Sequence, residues 1–182
     1  MRRRKDLGLY KLVEKSGKTA YEYQGDAYVP PLPLDRLPGV KALLLLSCIL
    51  QAALVFLMGR LDFPSFRKVY VVIPFLAVMF GTGKCLLSSA ALFTWKTRMT
   101  LRQHQLSWSS LTGGSLVSMF STGLFLLAVL AYLMLQGGRF DEEWPLLLLC
   151  AGNFLLVLAA FAFLKGNPCQ IKAYQKTLPP DV

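Results

Sequence analysis

Trp144–Leu164 reads WPLLLLCAGNFLLVLAAFAFL, a run of 21 residues without a single charge. At about 1.5 Å of rise per residue, a helix of this length covers the roughly 30 Å of a bilayer's hydrocarbon core. It is apolar on every side, whereas a soluble helix of the same length normally keeps a polar face. Two further runs share these properties, Leu116–Leu135 and Ala42–Met58. The second is short, but Lys41 and Arg60 at its edges are able to snorkel towards headgroups. A fourth run, Val69–Trp95, is long enough and carries one interior charge, Lys84. The expected fold class is therefore all-α: an integral-membrane four-helix transmembrane bundle with spans at about 42–58, 69–95, 116–135 and 144–164. This bundle, 40–165, lies between a basic N-terminal tail, 1–39, and a C-terminal tail, 166–182. With 54% hydrophobic and 16% charged residues in 182, the composition excludes disorder.

Lys and Arg favour cytoplasmic segments, so their placement predicts orientation. Segment 1–41 holds nine of them, 96–112 three and the tail after Leu164 three. Segments 59–68 and 137–143 hold three and one. An even number of spans groups the first three segments on one side, 15 cations against 4, with Lys84 left over. Both termini are expected in the cytoplasm, and a bacterial cytoplasmic membrane is the expected location. The opening MRRRK is no secretory signal, because the next apolar run begins some 35 residues later. The first span reads as an uncleaved anchor.

Residues 9–23 have a hairpin pattern. With Ser16-Gly17 as a two-residue turn, Leu12 opposes Tyr21, Tyr10 opposes Tyr23, and Lys11 opposes Glu22 on the other face. Aromatic and opposite-charge pairs stabilise such ladders. A lone hairpin is marginal in water, so Tyr10, Leu12, Tyr21 and Tyr23 are candidate partner-binding residues. The competing reading is a mobile basic tail. Pro30, Pro31, Pro33 and Pro38 then predict an extended, non-helical spacer. Segment 96–112 mixes Lys96, Arg98 and Arg102 with Trp95, Met99, Leu101, Leu106 and Trp108. That composition predicts aromatic anchoring at headgroup level and contact with anionic lipid.

Lys84 is the most informative single residue. A central lysine costs ~2.5–3.5 kcal/mol on the translocon scale, and each Leu, Ile, Phe or Val returns ~0.3–0.6. The run holds twelve such residues, so insertion is still favoured. All ten acids lie outside the four apolar runs, which excludes an intramolecular ion pair at membrane depth. Three environments remain. In the first, the span ends near Ser88 or Ser89, Lys84 snorkels, and 89–108 lie along the interface. In the second, Lys84 faces the bundle interior among hydroxyls, amides and water. In the third, it pairs with an acid on another subunit. Gly81, Gly83 and Pro74 predict a bend or break nearby.

Gly114, Ser118 and Thr122 recur every four residues, a spacing of small residues that lets helix backbones approach closely. Ser47 and Gln51 mark a similar face on the first span, and Gly152 and Asn153 on the fourth. Lys84, Gln51, Ser118, Thr122 and Asn153 form the candidate intramembrane polar site. Asp141, Glu142 and Glu143 read as a solvated charge run.

The chemistry inventory is thin. His104 is the only histidine and no acid lies within a span, so metal catalysis and a Ser–His nucleophile lack their parts. Cys48, Cys85, Cys150 and Cys169 form no C-x-x-C pair. Gly83-Lys84 lacks the remainder of a phosphate-binding loop. The basic charge follows one membrane face, which argues against nucleic acid. The expectation is a non-catalytic accessory or partner-binding membrane subunit without cofactor, its partners anionic lipid, other membrane subunits or its own copies. The alternative is a transporter or channel protomer using Lys84 and the polar face of the third span. A membrane enzyme ranks last.

Overall fold

The computed structural model describes residues 10–15, 18–23, 25, 27–33, 35–94, 99–136 and 140–172. In chain order the elements are β1 (Tyr10–Lys15), β2 (Lys18–Tyr23), β3 (Ala27–Val29), α1 (Leu37–Arg60), a 3-10 turn (Pro64–Arg67) and α2 (Val69–Thr94). Then come α3 (Leu101–His104), a π-helical stretch (Gln105–Ser109), α4 (Ser110–Gln136), α5 (Phe140–Gly166) and β4 (Gln170–Lys172). Four helices are long and apolar enough to span a membrane, the third being the continuous run Leu101–Leu135. α2 packs most extensively on α4, and the remaining contacts of α1 with α2 and α5, and of α4 with α5, close a four-sided bundle.

The bundle departs from the expected boundaries at the end that carries both tails. α1 starts at Leu37, so Pro38 lies within its first turn rather than in an extended spacer. Proline fits there because the first-turn N–H groups have no helical acceptor in any case. Lys41 is consequently inside the helix and buried, not a flanking snorkel. α2 runs unbroken past Pro74, Gly81 and Gly83 to Thr94, so neither a break nor an interfacial 89–94 segment forms. Segment 101–110 is helical as well. Its start is secured by a capping box, in which the Gln103 backbone N–H donates to Thr100 Oγ1 (3.3 Å) and the Thr100 N–H donates to Gln103 Oε1 (2.8 Å).

The glycines explain how α2 and α4 come so close. A Cβ at Gly81 would stand 3.0 Å from the Ser118 backbone, and one at Gly114 would stand 3.0 Å from Cys85 Sγ. Those two positions seat one helix on the other, as small-residue spacing on a membrane helix does. At the far end, Met58, Phe63, Val71, Phe75, Phe125 and Leu146 form one core cluster. Phe66 meets Phe75 edge-on at 4.8 Å, and Phe75 meets Phe125 at 5.4 Å. Glu143 is buried there and accepts hydrogen bonds from Ser65, which corrects the expectation of a solvated charge for this residue, while Asp141 and Glu142 are exposed as expected. The 3-10 turn brings Ser65 over the start of α5, and only that return of the chain makes the carboxylate an interior group.

At the opposite end, Leu44, Cys48, Cys85, Leu92, Met99, Trp108, Leu111 and Leu164 form a second cluster. Met99 and Trp108 are therefore interior residues rather than headgroup anchors, while Leu106 stays exposed. Trp95, Lys96 and Arg98 lie outside the described residues. A small β-structure covers this end. β3 pairs antiparallel with β4, Tyr28 opposite Ile171, and on its other edge Tyr28 exchanges both backbone hydrogen bonds with Met99 (2.9 and 3.0 Å). The Tyr28 ring stacks on His104 at 4.4 Å. Thus the segment before α1, the α2–α3 connection and the segment after α5 meet at one end of the bundle.

β1 and β2 form the expected hairpin in the expected register, with Tyr10 opposite Tyr23, Leu12 opposite Tyr21 and Lys11 opposite Glu22. The Ser16-Gly17 turn itself lies outside the described residues.

Candidate functional site

The residues singled out from the sequence fall into two groups that face opposite ways. Gln51, Ser118, Thr122 and Asn153 point inward and are almost wholly buried, together with Thr82. Asn153 Nδ2 donates to Thr122 Oγ1 at 3.1 Å, linking α5 to α4. Gln51 Nε2 donates to Ser47 Oγ at 3.3 Å within α1. Cys85 Sγ lies 3.8 Å from Ser115 Oγ across the α2–α4 seam. Four oxygens have no partner among the described residues: Gln51 Oε1, Thr82 Oγ1, Ser118 Oγ and Asn153 Oδ1. One comes from each of the four long helices, and each residue stands near the middle of its helix. In a hydrocarbon surround such atoms favour water or each other, because an unmade hydrogen bond there is costly. Thr82 was not among the sequence candidates, since a lone threonine in an apolar run gives no sign of its facing.

Lys84 belongs to the second group. It is half-buried and lies on the outer side of the α2–α4 contact, away from Gln51 and Asn153. Its stem crosses the glycine pair of α4, with Cγ 3.6 Å from where a Cβ would stand at Gly114 and Nζ 3.9 Å from one at Gly113. The ammonium thus borders an open groove of about 580 Å³ lined by Phe80, Gly83, Leu87, Ser88, Ala91, Leu106 and Ser110. Ser88 donates to Ser110 at 2.9 Å on the groove wall. Gly83 and Ala91 add little bulk to the α2 side of the groove, and Leu106 lines it from the π-helical stretch that precedes α4.

Tyr10 and Leu12 are paired in the hairpin ladder with Tyr23 and Tyr21. Among the described residues the two strands pair with each other and have no comparably extensive contact with another element. Among the described residues, no three His, Cys, Asp or Glu side chains gather in a way that would hold a metal ion. Chemically the arrangement offers a cationic hydrogen-bond donor at membrane depth on an outer face, and a polar layer inside the bundle.

Compared with models of known families, with curated proteins and with solved structures, the chain matches none.

Proposed function

We propose that the chain is a non-catalytic, multi-pass subunit of a membrane complex that works by binding partners through an outer helix face and its N-terminal tail. The observation that carries this reading is the facing of Lys84. The interior polar contacts join α4 to α5 and to α2, whereas the one charge within the apolar runs is turned outward beside an open groove. A charge kept at membrane depth is costly unless something meets it. The hairpin adds support, since a two-stranded ladder of this size needs a surface to lean on.

The proposed orientation has both tails in the cytoplasm of a bacterial cell. The excess of 15 cations over 4 supports it. So does the meeting of β3, Met99 and β4 at one end, as an even number of crossings requires. Anionic lipid is the proposed companion of that end. Recovery from native membranes in mild detergent is expected to bring down a different protein in fixed proportion. Consistent recovery of the chain alone would argue against a subunit role.

One observation favours a second reading, a transporter or channel protomer: the four unpartnered oxygens at mid-bundle. A path through them would admit water. Asn153→Cys would then be modified by a membrane-impermeant thiol reagent, and flux in liposomes would fall with Lys84→Met. On the subunit reading Asn153→Cys stays unmodified and the parent protein supports no flux.

A further inference from the structure

We infer that the groove beside Lys84 seats a transmembrane helix of a different protein, one that carries an aspartate or glutamate near the bilayer midplane. The inference rests on the subunit reading above and names the partner's chemistry.

Depth comes first. Lys84 stands ten residues before the end of α2 at Thr94 and fifteen after its start at Val69. At about 1.5 Å per residue, roughly 15 Å of helix separate it from the nearer end. A four-carbon stem does not bridge that distance, and the amine in fact lies sideways against Gly113 of α4. A phosphate level with the end of α2 is therefore out of the amine's reach, which favours an occupant within the apolar layer over lipid.

Shape comes next. Phe80, Lys84, Leu87 and Ala91 follow one another at helical spacing along the outer side of α2, so the groove runs with the helix axis for about three turns. Small residues, Gly83 and Ala91, alternate with large ones, and a helix backbone is able to approach such a surface closely.

Charge then selects the partner. The groove is apolar except for the ammonium and the Ser88 and Ser110 hydroxyls. A carboxylate on the incoming helix meets the ammonium and accepts from it, forming the strongest hydrogen bond open to either group. A second copy of this chain has no such acid to offer, because all ten acids lie outside the four apolar runs. The complement must come from a different sequence.

The test uses the full chain in neutral phosphatidylcholine vesicles and a synthetic leucine–alanine helix of about 20 residues with one central Glu, read by energy transfer. We expect the Glu helix to associate about tenfold more tightly than its all-apolar counterpart, the order of an interhelical polar contact in a membrane. Lys84→Leu removes the preference. Gly83→Phe also weakens association. A Cβ at Gly83 has nothing within 4 Å, and Gly83 lines the groove, so the new side chain starts unobstructed into the space a partner would use. Equal association of the two helices, or a preference that survives Lys84→Leu, overturns the inference. Displacement of the Glu helix by added phosphatidylglycerol, or Lys84-dependent transfer between labelled copies of the chain, overturns it in favour of lipid or self-association. Recovery from native membranes distinguishes the groove from the subunit role. A partner recovered equally with parent and Lys84→Leu keeps the subunit reading and overturns the groove. No partner at all overturns the subunit reading.

Discussion

Glu143 at the start of α5 accepts two hydrogen bonds from Ser65, one from the backbone N–H at 2.8 Å and one from the hydroxyl at 2.9 Å. Both residues are almost fully buried. A carboxylate held this way locks the α1–α2 connection onto the opposite corner of the bundle. It also satisfies a backbone donor that has no other acceptor in view.

Glu143→Ala is expected to destabilise the fold by roughly 2–3 kcal/mol, since it strands the Ser65 N–H in the interior. Glu143→Gln keeps an acceptor for that N–H and costs less. Unfolding of the purified protein in mixed detergent micelles checks the order, with Ala below Gln below the parent. A Glu143→Ala variant as stable as the parent would show that the carboxylate is merely sheltered.

Gly81 and Gly83 are two residues apart and are expected to respond in opposite directions. Gly81→Ala sets a methyl 3.0 Å from the Ser118 backbone and forces α2 from α4, at about 1–3 kcal/mol. Gly83→Ala meets nothing and gains up to about 1 kcal/mol of helix propensity. The same unfolding measurement on both variants reads the difference.

Lys84→Leu is expected to stabilise the isolated chain by roughly 1–3 kcal/mol, because a charge at membrane depth is removed and no hydrogen-bond partner is lost among the described residues. A fall in stability would mean that the amine holds α4 through its contact at Gly113.

Cys169 lies beyond the end of α5, packed beside the second core cluster, and burial pushes its thiol up to about 11. A raised value means that the folded chain holds the proton more tightly than the unfolded one. That contribution to stability is complete below pH 9 and is lost as pH rises through about 11. At pH 8 the thiolate fraction is about a hundredfold below that of an ordinary cysteine. Iodoacetamide is expected to react correspondingly slowly with Cys169 in the folded protein and at the ordinary rate once it is unfolded. Equal rates in both states would show the thiol to be open to solvent.

The four apolar runs and the hairpin register were legible because each depends on residues close together in the chain. Tyr10 meets Tyr23 by counting from a two-residue turn, and Trp144–Leu164 declares itself by length alone. The T-x-x-Q capping box at Thr100–Gln103 was equally local and signals the early start of the third long helix. Facing was not legible. Helices that are apolar all round carry no periodicity that separates lipid from core, so Lys84 outward and Thr82 inward look alike in the sequence. Composition also misdirected the reading of Met99 and Trp108. Residues suited to a headgroup region are equally suited to an interior once β3 and β4 roof them over. Glu143 is the same lesson at the other end, since its burial depends on Ser65, 78 positions away.

The roof itself bears on how the molecule is made. β3 is complete only when residues 170–172 arrive, some 140 positions after residues 27–29 have been synthesised. Until then β3 has one neighbour at most, the short bridge at Met99. A chain that stops short of Gln170 leaves β3 without this antiparallel partner, and so leaves an unpaired strand edge at that end of the bundle.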